Sequence, residues 1–187
     1  MQPLGVRYAV PMDLAAVHAV IHSAYRHYLT RIGTRPAPLD ADYPRLMGRG
    51  CLFVVGSPAI ATVTLLPEDG YLHLDNFAVA PDRQGQGLGH RILAFAEEHA
   101  RQLWLPELRL LTHSMMWENQ RMYTAAGYHE YARTTLAPDQ ELIHYRKAIS
   151  TWDFSEPTFL PPAAAAGVYG VHGAGGGARG GLLAGSR

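Results

Sequence analysis

The sequence predicts an α/β domain of about seven strands and four helices, and three observations predict it. Short apolar and β-branched runs recur between glycine and proline turn signals. Two longer segments, from Leu14 and from Leu88, carry apolar residues at helical spacing. The strands and helices alternate in the order β-α-α-β-β-β-α-β-α-β-β, which calls for helices packed on a layered sheet.

Val6 to Val10 reads as the first short strand. Pro11-Met-Asp13 opens a helix with Asp13 at its N-cap, and Leu14, Val17, Ile21, Ala24, Tyr25 and Tyr28 mark the apolar face. His18, His22 and His27 lie on the same helix. His18 and His22 stand four apart and could hold a metal, but no carboxylate or third ligand stands at a helpful spacing, so surface histidines are expected. Gly33 and Pro36-Ala-Pro38 end this helix, and Asp40 to Gly48 reads as a short second one. Cys51 to Val55 and Ala59 to Leu66 form a hairpin over Gly56-Ser-Pro58. Pro67-Glu-Asp-Gly70 then turns into the next strand, so strands two to four make an antiparallel meander. Cys51 is the only cysteine, which rules out an intrachain disulfide, and it reads as a small buried hydrophobe.

Tyr71 to Val79 is apolar enough for a buried strand that stops before Pro81, which cannot donate to a ladder. Leu88 to about Gln102 is an amphipathic helix. Between them lies Gln84-Gly-Gln-Gly-Leu-Gly89. Glycines let the backbone take positive φ and let a ligand approach, while the free N–H groups of a first helical turn, with the helix dipole, form an anion site. The natural ligand is a phosphate or pyrophosphate. A dinucleotide fingerprint would need glycine where His90 stands, and a P-loop needs a lysine there, whereas the only lysine is Lys147. Further on, Pro106 precedes a strand from Leu108 to Thr112. A helix from Trp117 to Ala126 is closed by Gly127, and Tyr128 to Thr135 and Leu142 to Ala148 are a last pair of strands around Ala137-Pro-Asp139.

What fits is Gln84-x-x-Gly87-x-Gly89 behind a Val79-x-Pro81 strand end, which resembles the coenzyme A pyrophosphate loop of the GNAT superfamily of acyl-CoA-dependent N-acyltransferases. About thirty residues on, Asn119-Gln-Arg-Met-Tyr123-Thr-Ala-Ala-Gly127-Tyr128 resembles that superfamily's second signature. The resemblance covers approximately residues 5 to 149. It implies a single mixed, mostly antiparallel central sheet of about seven strands flanked by about four helices. It also implies acetyl-CoA as co-substrate, no metal, and direct acetyl transfer to a primary amine of a small molecule or peptide. Coenzyme contacts are implied at Phe77, Ala78 and Val79, at Gln84, Gly85, Gln86, Gly87, Leu88, Gly89 and His90, and at Asn119.

Asn119 and Tyr123, four apart, share a helix face. There the amide can bond the pantetheine arm or a water, and the phenol can reach the coenzyme sulfur. Tyrosine has a pKa near ~10, so it stays protonated and can donate to a departing thiolate. Without the glycine loop before it, Tyr123 would read as a core aromatic. The acceptor must lose a proton. Asp75 is the first candidate base and His73 the second, two apart on one strand face; alternatively Asp75 orients the amine and His73 packs. Glu118, beside Asn119, is a weaker third. The resemblance also implies an oxyanion-binding main-chain N–H near Phe77 to Val79, and a strand splay or bulge near Asn76 to Ala78 would open room for the acyl group. The segment Tyr28 to Tyr43 looks like the substrate-side loop of one bacterial GNAT subgroup. Either Tyr28, Arg31, Arg35 and Tyr43 contact the acceptor, or the stretch is a proline-stiffened connector with solvated arginines.

The chain has 187 residues, enough for one domain with a real core, and is 48% hydrophobic and 17% charged. A formal net charge of zero argues against a nucleic-acid binder and gives no bulk attraction to anionic membranes. No signal peptide or apolar span is evident, so the cytoplasm is the expected compartment. Strand-mediated dimers in the family make a homodimer the expectation by analogy. From Pro157 the composition turns to alanine, glycine and proline. The expected layout is therefore an acyltransferase domain over residues 1–150 and a flexible tail over 151–187, with Trp152, Phe154 and Phe159 anchoring its first part. Two other readings stand beside the enzyme: an acyl-CoA-binding regulatory module without turnover, and an interaction domain whose glycine turn holds no ligand.

Overall fold

The computed structural model describes residues 5–150 apart from Asp139. The tail expected over residues 151–187, with Trp152, Phe154 and Phe159, lies outside the described residues. Strand β1 is Val6–Tyr8, and a 3-10 turn, Pro11–Asp13, leads into helix α1, Leu14–Ile32. Asp13 is not the side-chain cap the sequence suggests. Its carboxylate turns back, accepting the Val10 N–H at 2.9 Å and pairing with Arg7 at 2.6 and 2.7 Å. Gly33, at φ 74°, ends α1 in the left-handed conformation. The expected helix over Asp40 to Gly48 is split in two: a 3-10 turn, Ala37–Asp40, and helix α2, Tyr43–Gly48. Ala41 is extended between them, and Asp42 starts α2 afresh by accepting the Arg45 N–H.

Strands β2, Leu52–Val55, β3, Ala61–Glu68, and β4, Tyr71–Val79, form the antiparallel meander. β3 runs through Pro67, which the sequence assigns to a turn. Its pairing with β2 ends at Thr64, so Pro67 faces an open edge where a missing N–H breaks no ladder. Helix α3, Leu88–Gln102, crosses to β5, Glu107–His113, which lies parallel to β4. Helix α4, Trp117–Ala125, and the hairpin of β6, His129–Ala137, and β7, Gln140–Ala148, complete the chain. The seven strands make one sheet in the order β1-β2-β3-β4-β5-β7-β6, with only the β4–β5 pair parallel. Among the described residues, no helix is long and apolar enough to cross a membrane.

The sheet has two cores. On one face Ile92, Leu93 and Ala96 of α3 pack on Leu72, Leu74, Leu108 and Leu110; on the other, Val17, Ile21 and Ala24 of α1 pack on Leu52, Val54 and Ala78. Each fully buried aliphatic side chain contributes about 1.5–3 kcal/mol.

Two irregularities in the centre of the sheet make the site. Thr64 faces Asn76 and Leu65 faces Leu74, so Asp75 is an extra residue in β4. This bulge sits one residue before the expected span of Asn76 to Ala78. It shifts the pleat by one: Leu72 and Leu74 belong to the α3 core, whereas Ala78 belongs to the α1 core. The second irregularity is a splay. β4 and β5 pair only over Leu72–Leu74 and Leu108–Leu110, although both strands run on, so they part just where Asp75 and Leu111 begin.

Candidate active site

One side of the candidate site is built from backbone. Pro81–Arg83 forms a short turn after β4, and Gly85 and Gly87 then take φ of 74° and 77°. That region is costly for any residue with a Cβ, and neither glycine has an atom within 4 Å of where a Cβ would sit. The Gln84 N–H is held by the Pro81 carbonyl at 3.3 Å and the Arg91 N–H by that of Gly87 at 3.2 Å. Among the described residues, the N–H groups of residues 85–90 between them show no main-chain partner. They are the orphan donors of a helix start, and such donors suit a diphosphate. The Gln84 side chain donates to the Val79 carbonyl at 3.0 Å and ties the loop to the strand end. Gly89 has a different reason to be glycine: a Cβ there would sit 2.8 Å from the Met122 sulfur, so it lets α4 pack against the start of α3. Leu88 is buried and His90 exposed.

Phe77 links Tyr123 to this helix start. The Phe77 ring is 6.3 Å from the Tyr123 ring and 3.7 Å from a Cβ built on Gly89. Tyr145 and Tyr128 pack the other sides of Tyr123. Its hydroxyl has no hydrogen-bond partner among the described residues, although the residue is only 4% exposed. Burial, then the neighbouring Tyr28 and Tyr145, push its pKa well up, so it remains a proton donor throughout the neutral range. Asn119, one turn earlier, lines the same cavity as Tyr123, with its amide near the Met116 sulfur at 3.7 Å.

Asp75 and His73 come together as their spacing suggests, with His73 Nε2 3.9 Å from an Asp75 carboxylate oxygen. Burial raises the Asp75 pKa, against the pull of His73. Burial lowers that of His73, against the pull of Asp75. Both shifts favour neutral forms, which suits groups that exchange a proton. The bulge turns Asn76 toward α1. There the Tyr25 hydroxyl donates to Asn76 Oδ1 at 2.6 Å, the Asn76 amide donates to the Tyr43 hydroxyl at 3.3 Å, and Tyr43 donates to the Pro38 carbonyl at 2.7 Å. This buried chain joins α1, the bulge, α2 and the loop before it.

A cavity of about 640 Å³ opens at the splay, between β4, β5, α4 and the loop after α1. Of the four acceptor-side candidates, only Arg35 lines it. Tyr43 is 1% exposed and its hydroxyl is spent within the wall. Tyr28 is buried against Ile32 and Met116. Arg31 is drawn to α4, where it meets the Glu118 carboxylate at 2.8 Å and lies 4.0 Å over the Trp117 ring. Glu118, the weaker third candidate base, is paired there and does not line the cavity. His18, His22 and His27 are exposed on α1, and among the described residues no metal-sized cluster of His, Cys, Asp or Glu exists.

Sequence reasoning missed Tyr25, His113, Leu136 and Leu142, all of which line the cavity. His113 accepts the Met115 N–H through Nδ1 at 3.1 Å, and its buried Nε2 has no partner among the described residues. No local motif marks these residues; they meet only because the sheet splays.

Residues 48–130 match the family model described as an acetyltransferase (GNAT) domain. That segment, which holds the glycine loop and Tyr123, is similar to a GNAT acetyltransferase domain. The fold is shared with solved structures of low identity. A protein of Desulfovibrio desulfuricans assigned to the GNAT acetyltransferases superposes with a TM-score of 0.66 at 21% identity, over 78% of this chain and 99% of the other. A GNAT-family acetyltransferase of Streptococcus agalactiae gives 0.65 at 18%, over 78% and 95%. The ribosomal-protein-S18-alanine N-acetyltransferase of Escherichia coli gives 0.59 at 18%, over 81% and 97%. No curated protein matches the chain.

Proposed function

We propose that residues 1–150 transfer the acetyl group of acetyl-CoA directly to a primary amine of a small molecule or peptide in the cytoplasm. One observation carries the reading: the helix start at Gly89, whose loop amides lack main-chain partners, and the Tyr123 ring, whose hydroxyl is unpartnered among the described residues, both lie next to Phe77. One group can hold the diphosphate while the other meets the thioester sulfur.

The donor supplies an activated acyl carbonyl and a thiolate leaving group. Gln84 through His90 hold its diphosphate, and Asn119 bonds the pantetheine arm. Main-chain N–H groups between Phe77 and Val79, freed from the β5 ladder by the splay, donate to the acyl oxygen. Asp75 receives the ammonium of the acceptor and accepts its proton directly or through water, with His73 as the alternative acceptor. The C–N bond forms as the C–S bond breaks. Tyr123 gives its proton to the sulfur and recovers one from solvent, so each turnover releases the amide, free thiol and one proton.

Incubating the protein with acetyl-CoA and an amine library, read by thiol release and mass spectrometry, tests this. Acetylated amine is expected, with slower release from Tyr123→Phe. Tight coenzyme binding without turnover of any amine would leave a binding module instead.

A further inference from the structure

The cavity wall also specifies what enters. This inference rests on the acetyltransferase reading and narrows its acceptor. Only two lining residues are charged, Asp75 and Arg35. The Arg35 Nε already bonds both Asp40 oxygens, at 2.8 and 2.9 Å, so its charge is matched. The two lining histidines both have pKa values lowered by burial and stay neutral at physiological pH. That leaves Asp75 as the one carboxylate facing the cavity and no unmatched cation among the lining residues. The remainder of the wall is largely hydrocarbon: Ile32, Pro36, Pro38, Met116, Leu136 and Leu142 come from four separate stretches of chain. Leu136 is 54% exposed although it borders the cavity, which leaves apolar surface for a ligand to cover.

The rim is braced. The Gln140 amide donates to the Ile32 carbonyl at 3.0 Å, joining β7 to the end of α1, and Arg31–Glu118 joins α1 to α4. These bonds tie β7 and α4 to the end of α1 around a cavity of about 640 Å³, a volume that suits a compact guest.

We propose that the acceptor is a compact primary monoamine with a hydrocarbon body, its single ammonium received by Asp75 and its body lying against Ile32, Leu136 and Leu142. A second ammonium would find no second carboxylate. A carboxylate on the guest would meet only a guanidinium already paired, and an unmatched charge in an apolar site is penalised far more than a missing methylene.

The test uses the full chain and matched pairs of acceptors. Phenethylamine is compared with phenylalanine, which adds a carboxylate. Hexylamine is compared with hexamethylenediamine, which adds an ammonium. A short peptide with a free N-terminus is the fifth acceptor. The monoamine of each pair is expected to show kcat/KM at least about tenfold above its partner and above the peptide. Leu136→Asp, at a half-exposed position that tolerates a charge, is expected to shift the preference toward the diamine. Faster turnover of phenylalanine, the diamine or the peptide in the unmodified protein would overturn the proposal. So would a silent panel in which acetyl-CoA still raises the melting temperature. Absence of any acetyl-CoA thermal shift would overturn the acetyltransferase reading itself, which separates the two failures.

Discussion

Gly85 and Gly87 at one end of the cleft, and Leu136 and Leu142 at the other, act through different parts of the chain. The glycines shape main chain: they take positive φ in a loop whose amide donors have no main-chain partner among the described residues. The leucines present side chains that only tertiary folding brings near Asp75. The glycine-loop end is thus specified by backbone conformation, which few residues can satisfy, whereas many combinations of side chains could line the other end. Under the proposed function, one scaffold could therefore keep its donor while its acceptor changes.

Substitutions that break one end and spare the other sharpen this comparison. The largest effect is expected where the two ends meet. Tyr123→Phe removes the proton donor and should lower kcat by on the order of a hundredfold, with little change in acetyl-CoA affinity, measured by steady-state thiol release. Loss of affinity without loss of kcat would reduce Tyr123 to a packing residue.

Asp75→Asn comes next. It should lower kcat/KM for the amine by about tenfold or more while sparing the donor. The pH profile carries the sign. A base works only when unprotonated, so activity climbs as pH rises through the Asp75 pKa, which burial has raised above the usual carboxylate value of about 3.9. That limb should vanish in Asp75→Asn. A profile that keeps it assigns the proton to His73.

At the donor end, Gly87→Ala forces a Cβ into a left-handed backbone at a strain of about 1–2 kcal/mol, with nothing near enough to clash. It should raise the KM for acetyl-CoA and leave the relative rates of different amines unchanged. The smallest effect belongs to Arg31→Ala. Its ion pair with Glu118 is partly solvated and worth less than about 1 kcal/mol, so the amine KM should rise by only a few fold while acetyl-CoA binding is unaffected.

The element order and the conformation of the glycine loop were legible in the sequence because both follow local rules. Gly85, Gly87, Pro81 and the spacing from Leu88 onward each constrain their own neighbourhood. Asn119 and Tyr123 were legible for the same reason, four apart on one helix. Asp75 and His73 could be paired by strand alternation, but the bulge that adds Asp75 to the ladder could not be placed to the residue, since register depends on the partner strand. The acceptor side was the least legible. Tyr43 carries a hydroxyl that looks available in sequence and is consumed by Pro38 and Asn76 in the fold. Arg31 reads in sequence as either an acceptor contact or a solvated arginine and is clasped to α4. Leu136 and Leu142, the residues that colour the pocket, have no signature beyond belonging to a hairpin.

Amide NMR spectra of the protein titrated with coenzyme A and, separately, with pantetheine, which lacks the diphosphate, test the central claim most directly. Coenzyme A should shift the amide signals of residues 85–90 strongly, and pantetheine should leave them nearly unmoved while perturbing residues around Asn119 and Tyr123. Unmoved signals for residues 85–90 at saturating coenzyme A would contradict the account.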